Sequence, residues 1–430
     1  MIIKVLFFLS LILPCILFPD EYDFDVSEFE KKPLEFSGTA EFRPSLIIPE
    51  KKSLSWQLKY FDATNSRKVL DNYLLLALPA VKFDKKGLLL YASGDVRTGY
   101  NHPENKWDFD ITLLEGYGKY QFNPRWSILL GKKLYKWGKG YIYNPVSYVG
   151  RQKDVNDIDA SLEGFYTAGV EYVKSFSSKV IKNLSQELVF IPVYKKLNDD
   201  YRTGDRHWLV SRTYLLVYNT DFEFFLNVAE DFDFTTGLAA AHNILTNWEI
   251  HGELSYLPDA LKTLVTDNGY PQYQGKKHAL QSIVGTRYLA PFNATFYLEY
   301  IYNGAGITDT EMASWYTSVH NALDSQNNQV LGRLRKQWFA GLNRQFIMNH
   351  YLYFKMQYPE PFNFLYFTPS VYLLMNLVDT SLLAGLDMNY KRFNRVSFNL
   401  KLAGLYGKTD SEYGSKISEV KTEMRILFFF

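Results

Sequence analysis

An all-β, transmembrane, antiparallel up-and-down β-barrel of about 18 strands (range about 16 to 20) is the fold this sequence predicts. Three observations carry that expectation. First, residues 418–430 alternate. Val420, Thr422, Met424, Ile426, Phe428 and Phe430 fall on one face, and Glu419, Lys421, Glu423 and Arg425 on the other. A period of two is the strand period, so one face suits hydrocarbon and the other water. Second, aromatics make up 17% of the chain, with 33 Tyr and 32 Phe, yet the mean hydropathy is −0.21. A barrel reconciles the two, because only alternate residues meet lipid while Tyr and Trp gather at the interfaces. Third, no apolar run after residue 18 reaches the roughly 20 residues of a membrane helix.

The chain opens on a secretory signal, residues 1–18. Lys4 supplies the positive start, Val5 to Phe18 the apolar run, and Pro19, Asp20 and Glu21 the stop. Cys15 follows Pro14, unlike the Leu-Ala-Gly-Cys of a lipoprotein, and so belongs to the discarded signal. The mature chain then holds no disulfide, thiol nucleophile or Cys-ligated metal. Residues 19–33 are acidic and aperiodic, which fits a periplasmic extension, and 34–430 form one barrel domain. The net charge of +1 lacks the basic excess a nucleic-acid partner requires.

Strand-like runs follow one another at 34–47, 54–60, 69–82, 88–99, 108–120, 126–136, 164–175, 184–194, 207–218, 221–231, 235–243, 248–257 and 279–289. They continue at 295–302, 336–346, 351–358, 364–376, 381–390, 396–402 and 418–430. In the second run, Leu54, Trp56, Leu58 and Tyr60 alternate with Ser55, Gln57 and Lys59. Helix is expected only inside 305–335. Tight turns carry Asn or Pro at 122–125, 246–247, 291–293, 348–350 and 393–394. Long connections lie near 137–163, 195–206, 258–278 and 305–335. Short turns face the periplasm in a bacterial barrel and long loops the exterior. The two classes alternate between residues 121 and 350. Towards both ends the count of about 20 slips by one, and the even number expected is about 18.

The closing alternation with a terminal Phe resembles the last strand of bacterial outer-membrane β-barrels. That resemblance implies that Phe428 and Phe430 belong to the signal read by the barrel assembly machinery.

Residues 131–164 are the most unusual stretch. Lys132, Lys133 and Lys136 lead to Trp137-Gly138-Lys139-Gly140, then to an aromatic and finally a charged loop. The segment resembles one in porin-like outer-membrane proteins, including alginate-export-type channels and an uncharacterised related family. The matching positions are Trp137-Gly138 and Asn144-Pro145, and the resemblance implies a loop anchored there and folded into the barrel. A barrel of about 16 to 18 strands leaves an aqueous channel unless something folds inward. Clustered opposite charges in the narrow zone would select by charge. Arg151, Lys153, Asp154 and Asp157 are the selectivity residues expected, with Lys132 and Lys136 as lumen-wall partners. Neutralising Arg151 and Lys153 is then expected to change ion selectivity. The competing reading is an extracellular loop whose charges are simply solvated.

Catalysis finds no support in the sequence. The seven histidines are scattered, and neither a Gly-x-Ser-x-Gly elbow nor a phosphate loop is present. His251 stands alone on a strand. Asp199, Asp200 and Asp205 do not match a calcium loop and read as a solvated acidic loop. No cofactor or metal is expected. The sequence thus predicts a non-enzymatic porin-like channel, embedded in outer-membrane lipid, for passive passage of small hydrophilic solutes. The alternative is a plugged barrel serving as a surface scaffold for polysaccharide or envelope assembly, with Tyr270, Tyr273, Trp315 and Tyr316 stacking on sugars. No feature identifies a subunit interface.

Overall fold

The computed structural model describes residues 33–62, 69–101, 106–155, 157, 162–202, 205–265 and 271–430. Its strands are β1 (Leu34–Pro49), β2 (Leu70–Lys85), β3 (Leu88–Asn101), β4 (Lys106–Gln121), β5 (Trp126–Lys133), β6 (Phe165–Ser175), β7 (Ile181–Ile191), β8 (Trp208–Val217) and β9 (Thr220–Ala229). They continue as β10 (Phe234–Leu245), β11 (Trp248–Val265), β12 (Pro271–Leu289), β13 (Thr295–Asn303), β14 (His350–Gln357), β15 (Phe367–Asn376), β16 (Leu382–Tyr390), β17 (Val396–Tyr406) and β18 (Ser418–Phe429). Each pairs antiparallel with its neighbours, and β1 pairs with both β2 and β18, so the 18-stranded sheet closes on itself. Closure leaves no edge strand to be satisfied by lipid.

The alternation read in the sequence sets the two faces. On β18, Glu423 and Arg425 are buried in the lumen while Met424 between them is exposed on the outside. On β5, Trp126, Ile128 and Leu130 are exposed outward and Ser127 and Leu129 are buried inward. The seam between β1 and β18 ends in a close contact. Phe430 donates its N–H to the Gly38 carbonyl at 3.1 Å and accepts from the Gly38 N–H at 2.9 Å. A Cβ on Gly38 would lie 2.5 Å from the Phe430 ring and 2.7 Å from the Leu78 carbonyl oxygen, so only glycine leaves the ring its seat.

Two expected strands are helical. Residues 54–60 form α1 (Leu54–Tyr60), capped by Ser53, whose side chain accepts from the Trp56 N–H. Residues 336–346 fall at the end of α3 (Asn328–Gln337) and in the π-helical turn Trp338–Leu342. With these removed the strand count is 18, and both chain ends of the barrel fall on the side of the short turns. The stretch 348–350 is accordingly the end of the long connection 304–349, not a turn. The connection expected at 258–278 is mostly strand, since β11 and β12 extend into it. The helix expected inside 305–335 is present as α2 (Asp309–Asp324), with a Thr308/Glu311 capping box, followed by α3. The signal at 1–18, and the extension at 19–33 apart from Pro33, lie outside the described residues. No helix among the described residues is long and apolar enough to cross a membrane.

α1, α2, α3 and the connection 407–417 share one hydrophobic core at the long-loop end. Trp315 and Trp338 stack at 4.8 Å within it, against Leu58, Met312, Leu334 and Tyr413. Trp315 and Tyr316 are therefore buried, which removes them as exposed sugar platforms. Tyr270 lies outside the described residues, and Tyr273 falls on β12.

Candidate functional site

The connection 134–164, between β5 and β6, runs inward and crosses the lumen. Its described backbone forms neither helix nor strand; a few amides bond within the loop's own turns, and others need acceptors from elsewhere. Two inward-facing carboxylates on the opposite wall supply them. Glu253 on β11 accepts from the backbone N–H of Lys139, Gly140 (2.7 Å) and Val146 (3.4 Å), and from the Asn144 side chain at 2.9 Å. Glu299 on β13 accepts from the N–H of Tyr141 at 2.6 Å and of Ile142 at 3.3 Å. His251 sits behind them, its Nε2 2.9 Å from Glu299 and its ring edge-on to Tyr141. This lone histidine is thus buried between Glu299 and Glu249, the latter 3.6 Å from its Nδ1.

The residues matched to the porin-like segment lie at the start of this crossing. Trp137 is buried and donates its indole N–H to Glu187 at 3.2 Å. Gly138 has φ +103°, and a Cβ there would lie 2.6 Å from Glu253 Oε1 and 2.7 Å from Asn144 Nδ2. Asn144 also donates to the Gly140 carbonyl at 2.8 Å, closing the turn before Pro145. Lys139 extends to Glu223 on β9 at 2.8 Å. Further along, Tyr148 bonds Ser255 at 2.8 Å.

The expected selectivity residues do not form one cluster. Arg151 pairs with Asp200 at 2.5 Å and donates to the Glu163 carbonyl at 2.8 Å; Asp200 remains exposed while it makes this pair. Lys153 donates to the carbonyls of Gly140 (2.9 Å) and Tyr141 (3.0 Å), holding the loop's own turn. Asp154 accepts from Gln345 at 2.9 Å, and Gln345 in turn accepts from the Val155 N–H at 3.1 Å, tying the loop to the connection 304–349.

Asp157 reaches the far wall. Its carboxylate lies 2.9 Å from Arg425 (β18), 3.2 Å from Lys401 (β17) and 3.6 Å from Arg43 (β1). Burial raises its pKa, but the hydrogen bond to Arg425 and the attraction of Lys401 and Arg43 outweigh that and hold it below the usual carboxylate range. It is a fixed negative charge at neutral pH. Around it, Arg43, Lys401, Lys421 and Arg425 interleave with Glu41, Asp387 and Glu423 in one network.

Lys132 is not a lumen-wall residue. It shares the outward alternation of Ile128 and Leu130, pairs with Glu163 and lies over the Tyr166 ring at 5.4 Å. Lys133 takes the inward position, over Tyr135 at 4.6 Å. Lys136 is exposed and lines a recess between the loop and the β1–β4 wall. Among the described residues no three His, Cys, Asp or Glu side chains gather as a metal site would.

Glu253, Glu299 and the Asp157 partners on β1, β17 and β18 were not singled out by the sequence. An inward Glu or Arg on a strand reads as one more solvated lumen charge. The available signal was Lys401 and Arg425, on the polar faces of two of the clearest strands.

The sequence matches no protein-family model and no curated protein. Solved structures share its fold. OccK11 (OpdR) of Pseudomonas aeruginosa aligns with a TM-score of 0.53 at 9% identity, covering 92% of this chain and 95% of that one. The outer membrane protein opdK from the same organism aligns at 0.51, 9% identity, 92% and 98%. OccK2 (OpdF) of P. aeruginosa, solved in complex with glucuronate, aligns at 0.51, 8% identity, 92% and 98%. At these identities the likeness is one of fold: the chain has the porin-like β-barrel architecture of bacterial outer-membrane proteins.

Proposed function

We propose that this chain is a bacterial outer-membrane channel that passes small hydrophilic solutes passively, and that the loop 134–164 sets which of them pass. One observation carries the reading: the loop crosses the lumen to Asp157 at the far wall, yet leaves recesses beside it of ≈ 460 Å³ towards β1–β4 and ≈ 320 Å³ towards the long-loop end. A stiff, charged strap beside open space narrows a passage without sealing it. Trp137, Gly138, Asn144 and Pro145 anchor the strap. Asp157 sets the field, and Arg151, Lys153 and Asp154 keep its course. Lys136 lines the passage.

On this reading residues 1–18 direct export, and the terminal strand with Phe428 and Phe430 engages the barrel assembly machinery. The outward apolar alternation meets outer-membrane lipid. The glucuronate held by OccK2 is a small hydrophilic acid, within the size class proposed here. No catalytic step is required.

A second reading has its own support. α1, α2 and α3 pack a hydrophobic core at the mouth, as a plug would, and a closed barrel could act as a surface scaffold. Single-channel recording of the refolded protein in a planar bilayer separates the two. Stepwise conductance is expected; a correctly folded barrel that stays silent overturns the channel and leaves the scaffold.

A further inference from the structure

We propose that the recess between the loop and the β1–β4 wall is a binding subsite for an uncharged pyranose ring. The inference deepens the channel reading and rests on it. The recess measures ≈ 460 Å³, within the roughly 300–1,000 Å³ of small-molecule sites. Its lining is divided by chemistry. Leu78, Ala80, Leu114 and Leu134 form an apolar strip, and Ser37, Thr39 and Ser93 set hydroxyls beside it.

The apolar strip is unusual for a water-filled lumen. The register of β1 with β2 places Leu74, Leu76, Leu78 and Ala80 opposite Arg43, Glu41, Thr39 and Ser37, so all four face inward. Leu76 is covered, whereas Leu78 and Ala80 stay partly open to the recess. Apolar surface facing water is unfavourable unless something apolar covers it in use.

Tyr91 supplies the aromatic surface. Its ring lies 5.5 Å from that of Tyr117, on the paired strand, and Lys133 stands over Tyr117 at 5.7 Å. Tyr91 is therefore braced from behind while it lines the recess, a pre-organised platform that loses little entropy on binding. A pyranose has an apolar C–H face and a rim of hydroxyls that donate and accept. Tyr91 and the leucines match the face; Ser37, Thr39 and Ser93, each both donor and acceptor, match the rim.

Charge argues for a neutral ring. The recess holds one carboxylate and one ammonium, Glu115 and Lys136, so it favours neither sign. Glu115 already accepts from the Leu134 N–H at 2.9 Å. The dense ionic network lies elsewhere, around Asp157.

The test is ion-current blockade in a planar bilayer with methyl glucoside, against sorbitol, which has the hydroxyls but no ring face. Saturable blockade by the glucoside is expected, stronger than by sorbitol, and weakened by about tenfold in Tyr91→Ala, the scale of one lost aromatic contact. A channel that conducts but responds equally to glucoside and sorbitol overturns the subsite and leaves the channel standing. If the folded barrel does not conduct, the channel reading falls. Saturation-transfer NMR with methyl glucoside then reads the recess directly: transfer lost in Tyr91→Ala supports the subsite, and transfer absent from the native protein overturns it.

Discussion

Replacing Asp157 by Asn removes a carboxylate that the loop contributes to the far-wall network. That network sets four cations, Arg43, Lys401, Lys421 and Arg425, against four carboxylates, Glu41, Asp157, Asp387 and Glu423. Among these eight described residues the charges balance, 4 − 4 = 0, and D157N shifts the sum by +1. An ion passing about 6 Å away in water feels one unit charge as about 0.7 kcal/mol. Screening at about 0.1 M salt reduces that to about 0.4 kcal/mol. Cations and anions shift in opposite senses, so the anion-to-cation permeability ratio should rise about fourfold. The assay is the reversal potential across a KCl gradient. D387N is the control, since it removes one charge from the same network while leaving the loop's contact intact. Equal shifts in the two variants mean charge alone selects; a shift in D157N only means that the strap has moved. A ratio unchanged in both refutes the placement of this network in the ion path.

Three further outcomes follow from the same geometry. Glu253→Ala strips the acceptor from the N–H groups of Lys139, Gly140 and Val146, a local cost of about 3 kcal/mol. The variant should keep a heat-modifiable barrel in gels but be nicked by protease within the loop, and an uncut loop would count against the anchor. Gly38→Val forces a Cβ into the Phe430 ring and the Leu78 carbonyl, and should lower the folded fraction on refolding into vesicles by about 1–3 kcal/mol; an unchanged yield would show that the seam tolerates bulk. Glu412, in the connection 407–417, is fully buried; it accepts from Tyr351 at 2.7 Å and Asn376 at 2.8 Å, and burial pushes its pKa up to about 7. Lys416 opposes that shift, and Asp379, which accepts from the Glu412 N–H, reinforces it. Because the folded state holds this proton more tightly than the unfolded one, stability falls as pH rises from about 4.5 to about 7, by up to about 3 kcal/mol. Protection factors at 407–417, with the intrinsic base-catalysed rate divided out, should be lower at pH 8 than at pH 5.5, and E412Q should flatten the difference; protection factors with no such pH dependence in the native chain would place the proton elsewhere.

The barrel was legible because each strand repeats the same local signal, and 18 of the expected runs overlap observed strands. The two false strands show where that signal is ambiguous. Leu54 and Leu58 are four apart, so they satisfy a helical face as well as an alternation, and both are fully buried in the cap. Ser53 before them is a helix cap that the alternation obscured. Likewise Trp338 lies in a π-helical turn, and its burial depends on stacking with Trp315. The site was legible only in part. Residues 134–164 announce themselves by composition, but their partners do not, because Glu253 and Glu299 are more than a hundred positions away and resemble any other lumen carboxylate. Lys132 keeps the parity of Ile128 and Leu130, so the alternation itself places it outward; its charge, not its position, suggested the lumen.

The position of the anchors follows from a constraint the membrane imposes. Irregular backbone at membrane depth is tolerated only where it is buried in protein or lines a hydrated cavity. A loop that enters the lumen must therefore find acceptors for its amides, and neighbouring strands provide few, since most of their own groups are used in the ladder; the Leu114 carbonyl, free at a bulge of β4, takes only the Gly164 N–H. Side-chain carboxylates can. One carboxylate has two oxygens and accepts several hydrogen bonds, which is what Glu253 does for three amides and a side-chain amide. Glu299 repeats the arrangement two strands on, so the loop is held along its length and not at a single hinge. Asp157 then closes the span by the reverse means, a loop carboxylate on wall cations. Fixed at both ends, the strap can hold a charge at a constant position in the passage, which a loop tethered only at β5 and β6 could not. On this argument E253A and E299A together should leave 18 strands intact and remove the constriction, raising conductance and flattening ion selectivity in the same recording.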